Sequence, residues 1–124
     1  MKIRILGNTI RFRLKQPEVD QFKKDGKVTE VIAFGARLED QLCFSLALSS
    51  EPDLAISFQA NTTTVHVPQA LAEKWTSTDL VGFNGRLDTG KGQEVEVLVE
   101  KDFACLDAPE ADNEGTYPNP KAAC

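Results

Sequence analysis

The sequence is poor in the residues on which most metal and enzyme chemistry depends. It has one histidine, His66, so no histidine pair exists to share a metal ion or relay a proton. Its three cysteines, Cys43, Cys105 and Cys124, are too few and too widely spaced for a disulfide framework or a CxxC metal knuckle. No apolar run approaches the length of a membrane span, and no apolar signal region precedes the first alternating segment. Gly82, Gly85, Gly90 and Gly92 lack the spacing and the strand–turn–helix setting of a nucleotide-binding loop. No serine-centred elbow or paired-carboxylate arrangement stands out. The net charge of −5 argues against nucleic acid as a main partner. These absences predict a cytoplasmic protein with no membrane association, cofactor or metal.

What remains is a chain of 124 residues, 41% hydrophobic and 27% charged, which suits one globular domain that needs no staples. Its organising stretch is Lys2 to Leu14. Gly7-Asn8 tolerates positive φ and reads as a two-residue hairpin turn. That turn sets Lys2 opposite Arg13, Ile3 opposite Phe12, Arg4 opposite Arg11 and Ile5 opposite Ile10. Ile3, Ile5, Ile10, Phe12 and Leu14 then share one face, and Lys2, Arg4, Arg11, Arg13 and Lys15 the other. Like charges facing each other are unfavourable. The remedy offered within the chain is Glu94 to Glu100, whose valines alternate with Glu94, Glu96 and Glu100. A strand of that pattern beside the hairpin answers the basic stripe with carboxylates.

Pro17 starts a short helix, with acidic residues early, Lys23 and Lys24 late, and Gly26 as its stop. Strands follow over 27–34, 42–48, 55–60 and 63–67. On the strand over 42–48, Cys43, Ser45 and Ala47 are all small, so close packing is expected on their side. A second helix starts at Pro68 and carries Leu71 and Trp75. Strands over 80–87 and 93–103 close the domain. Asn8 to Val31 and Asn61 to Phe83 share one sequence of features: strand, helix, polar turn, strand. Phe12 corresponds to Val67 and Phe22 to Trp75, a weak pseudo-repeat. The predicted fold is α+β: a mostly antiparallel sheet or partial barrel of about seven or eight strands with two short helices, ordered ββαββββαββ. Residues 1–107 form the domain, and 108–124 an acidic, proline-containing tail.

Three site candidates emerge. Lys2, Arg4, Arg11 and Arg13 form a basic face able to bind an anion. Cys105, near Lys101, Asp102 and Asp107 and with His66 available from elsewhere, is the candidate reactive thiol or metal centre. His66 itself alternates with Val65 and Val67 and reads as an ordinary strand histidine. No residue is assigned a catalytic role.

Lys2 to Leu14, and Val99-Glu100-Lys101-Asp102-Phe103-Ala104-Cys105-Leu106 with Pro118-Asn119-Pro120 after it, resemble a family of small bacterial proteins of unknown function. The likeness covers almost the whole chain. It implies a self-standing bacterial domain with this hairpin and terminal strand, and brings no activity. The expected role is a small binding or accessory domain, with a protein partner or a second copy engaging an edge strand. The alternatives are a Cys105-centred enzyme or metal site, and anion recognition by the hairpin.

Overall fold

A computed structural model describes residues 1–103 and 114–118 of the chain. Strands β1 (Lys2–Leu6) and β2 (Thr9–Leu14) form the expected hairpin in the expected register, Lys2 with Arg13 through Leu6 with Thr9. Gly7 supplies the turn's positive φ, 56°. Helix α1 (Gln16–Asp25) leads into β3 (Lys27–Ala33), and a short turn of 3₁₀ helix leads into β4 (Gln41–Ser49). Then come β5 (Ala55–Gln59), β6 (Thr62–Pro68), helix α2 (Gln69–Ser77), β7 (Gly82–Gly90) and β8 (Gln93–Lys101). The order is ββαββββαββ, and the class is α+β.

The strands divide between two four-stranded sheets, β1-β2-β8-β7 and β3-β4-β6-β5, rather than closing into a barrel. In each, a central parallel pair is flanked by antiparallel partners. Each sheet therefore takes one hairpin from the first half of the chain and one from the second. The halves are a structural repeat of ββαββ units. The offset that carries Asn8 onto Asn61 also carries the pair Lys2–Arg13 onto Ala55–His66. It carries Thr9–Glu96 onto Thr62–Cys43 with the halves exchanged. It also carries the first residue of α1, Gln16, onto the first residue of α2, Gln69. On this register Phe12 matches Val65, one pleat period from the Val67 suggested by sequence, while Phe22 matches Trp75 as expected.

The core follows the repeat. Phe12 and Val65, Leu14 and Val67, Val19 and Ala72, Phe22 and Trp75, Phe44 and Val97, and Leu46 and Val99 are equivalent pairs, and every member is buried. Phe12 meets Phe44 edge-on between the sheets, with ring centroids 6.4 Å apart. The helices leave the ends of β2 and β6 and plug that end of the sandwich. There Trp75 touches both Phe22 and Phe83, and its indole N–H donates to the Val81 carbonyl at 3.0 Å. Gly26 ends α1 in a left-handed conformation, φ 74°, and its N–H donates to Phe22 O. The Met1 ammonium pairs with Glu18 and Glu30, tying the first strand to α1 and β3. Part of the chain beyond β8 docks at the same end. The Tyr117 N–H donates to Asp102 O at 2.7 Å, and Gln16 N–H donates to Gly115 O at 2.9 Å.

Candidate functional site

The basic face lies on the outside of the first sheet, and the acidic strand lies beside it. β8 runs parallel to β2, placing Glu96 next to Thr9 and Glu100 next to Arg13. Arg11 Nε is 2.9 Å from Glu100 Oε1, and Lys2 Nζ is 3.0 Å from the buried Asp102 Oδ2. Both carboxylate oxygens sit within ion-pair distance but off hydrogen-bond direction. Arg86 Nε reaches Glu96 at 3.6 Å from the other side. Arg4 faces Arg11 and Arg13 faces Lys2 across the hairpin. No ion pair among the described residues involves Arg4 or Arg13. Half of the proposed anion set is thus engaged by carboxylates of the same chain.

Cys105 and Asp107 lie outside the described residues. Their neighbours do not. Lys101 is buried at the inner end of β8, where its ammonium donates to Thr78 O at 2.8 Å and lies 5.5 Å from the Tyr117 ring centre. Burial pushes the Lys101 pKa down, with the Asp79 carboxylate acting against it. Burial pushes the Tyr117 phenol up, and Asp20 adds to that. A hollow of about 780 Å³ adjoins these groups, between the start of α1, the end of α2 and the docked segment. No group of histidine, cysteine and carboxylate residues suited to a metal ion occurs among the described residues.

His66 has a partner that sequence reasoning missed. Its Nε2 lies 2.8 Å from Ser57 Oγ on the outside of the second sheet. A hydroxyl bonded to an imidazole is the start of a nucleophile–base pair. The residues flanking His66 in the ladder, Ala47 and Ala55, give the ring no carboxylate to orient it. Beside it, Ser45 is buried and hydrogen-bonds Thr29 at 2.8 Å. The small residues expected to allow close packing at Cys43, Ser45 and Ala47 belong to this outer surface. The core is on the opposite side.

The most site-like feature is a cleft of about 750 Å³ between the two sheets, at the end away from the helices. Its apolar lining comes from both inner faces: Ile5, Ile10, Leu87 and Val95 from the first sheet, and Ile56 and Phe58 from the second. Leu54 lies against Gly85, where an added Cβ would come within 3.1 Å of its Cδ2, so the glycine makes room for this wall. Asn8, Thr63, Arg86 and Asp88 supply the polar positions. Ile5 is 62% exposed and Phe58 65%, although both point to the core side of their strands. Sequence alternation assigned Ile5 to the core. It had no means of telling that the sheets are plugged at one end only.

A family model matches residues 1–121. The chain belongs to a family of unknown function, DUF7009. The match spans the hairpin, both sheets and the docked segment. No curated protein and no solved structure matches the chain. No helix among the described residues is long and apolar enough to cross a membrane.

Proposed function

We propose that the protein is a small binding domain that takes an amphipathic ligand, with an apolar body and a polar end, in the cleft between its sheets. The observation that carries this reading is the pair of exposed inner-face side chains, Ile5 and Phe58, at the rim of a cleft of about 750 Å³. That volume falls in the range of small-molecule sites, and an apolar floor with a few polar groups is their usual make-up. Water-exposed apolar surface of this kind is costly to keep unless something covers it. Among the described residues, Ala47 and Ala55 are what flank His66 in the ladder and the Lys101 ammonium is bonded to a backbone carbonyl, so the reading offered is one of binding.

Titration with anilinonaphthalene sulfonate tests the reading. The dye is expected to brighten on binding, and Ile5→Ser, which removes half of the exposed rim, is expected to weaken it about tenfold. Absence of binding, or equal binding by the variant, would overturn it.

A second reading is a protein partner or a second copy adding a strand to a free sheet edge. It is favoured by the four edges, β1, β7, β3 and β5, that are unpaired among the described residues.

A further inference from the structure

The four edges left free among the described residues are not alike. An unpaired edge is a template for another strand, and charged side chains are a common guard against that. β1 carries Lys2 and Arg4, and β3 carries Lys27 and Glu30. β7 carries Arg86 and Asp88, with an irregularity between Asp88 and Gly90. β5, Ala55-Ile56-Ser57-Phe58-Gln59, carries no charge. The contrast is sharpest between β1 and β5, which are equivalent in the repeat: Ala55 stands where β1 has Lys2, and Ser57 where it has Arg4. One scaffold has therefore been given a guarded edge and an unguarded one.

We propose that β5 is the edge at which a second copy of this chain adds, antiparallel, about a two-fold axis through Ser57. This rests on the edge-strand reading above and names its edge and occupant. In that register Ser57 meets Ser57 of the second copy, Ile56 lies beside its Phe58, and Ala55 beside its Gln59. Ile56 and Phe58 share the core side of the strand, so the exposed Phe58 ring gains an apolar neighbour from across the axis. The same operation is unfavourable at every other edge. The central residue of β1 is Arg4, of β3 Glu30 and of β7 Arg86, and pairing about each centre sets like charge against like charge. A ladder of 5 residues is short, which places the dimer in the weak, concentration-dependent class.

Light scattering after size exclusion, over a concentration series reaching about millimolar, tests this on the full chain. Ser57→Arg restores at β5 the guard that the equivalent position of β1 already holds. It is expected to raise the dimer dissociation constant about tenfold or more. Ser57→Ala, which also removes the bond to His66 but adds no charge, is expected to leave the dimer in place. A wild-type dimer unaffected by Ser57→Arg would overturn the assignment to β5 while leaving edge addition standing. A wild-type monomer throughout the series would overturn self-association itself. If Ser57→Arg does not fold, amide exchange of the unaltered chain decides. Protection at β5 that rises with concentration supports the proposal, and protection independent of concentration overturns it.

Discussion

Asn8 and Asn61 do the same work in the two halves of the chain. Each sits in a hairpin turn and sends its side-chain amide to a backbone carbonyl just before or at the start of the neighbouring parallel strand. Asn8 Nδ2 donates to Glu94 O at 2.6 Å, and Asn61 Nδ2 donates to Glu39 O at 3.0 Å. Each asparagine's own carbonyl accepts from the same neighbour, from Glu96 N–H and from Cys43 N–H, both at 2.9 Å. Parallel strands far apart in sequence have no turn to set their register, and these clamps supply one.

Both clamps are exposed, so each amide is worth about 1 kcal/mol. Asn8→Ala is expected to cost about that much in urea unfolding. Asn61 has φ 59°, which alanine tolerates poorly, so Asn61→Ala is expected to cost about 1 kcal/mol more than Asn8→Ala. Asn61→Gly, which relieves the backbone but lacks the amide, is expected to fall between wild type and Asn61→Ala. Equal costs for the two alanine variants would contradict this account of the turns.

Trp75 joins the two helices of the plug to the first sheet, so its removal tests how the core is built. It is fully buried, contacts Phe22 and Phe83, and donates one hydrogen bond. Trp75→Ala is expected to cost about 3–5 kcal/mol, enough to unfold a marginal domain. Phe58→Ala, at the rim, is expected to cost less than about 1 kcal/mol. Chemical denaturation of the two variants checks the contrast.

The Met1 ammonium gives the stability a pH dependence of known sign. Burial lowers its pKa, but the hydrogen bonds and charges of Glu18 and Glu30 outweigh that and leave it above the ordinary 8.0. A folded pKa above the unfolded one means that the protonated amine favours folding. The contribution is complete below pH 8.0 and is lost as pH rises through the folded value. Wild type is therefore expected to lose stability on the alkaline side of pH 8.0, as read by the urea midpoint. A Glu18→Gln, Glu30→Gln double variant is expected to flatten that fall.

The local pieces were legible in the sequence. The hairpin register follows from Gly7-Asn8 and strict alternation, and both helices start within a residue of where Pro17 and Pro68 predict. The acidic strand was also placed beside the basic one, because Glu94, Glu96 and Glu100 share one side of a segment whose other side is Val95, Val97 and Val99. Two features were hidden. Alternation shows which side of a strand is apolar but not which sheet it joins, so the exchange of hairpins between sheets did not appear. Nor does it show where a core ends. Ile5 and Phe58 carry the same pattern as Ile3 and Ile56, yet lie at the unplugged end and line a cleft. The edge contrast between Arg4 and Ser57 became readable only once β1 and β5 were found to be equivalent.

The central claim is that binding takes place between the sheets, at the end away from the helices. Amide-resolved NMR during titration with anilinonaphthalene sulfonate tests it most directly. The account predicts shifts concentrated at Ile5, Ile10, Leu54, Phe58 and Val95. Shifts centred instead on Lys2, Arg4, Arg11 and Arg13, which the sulfonate could also reach, would contradict it and make the basic face the recognition surface.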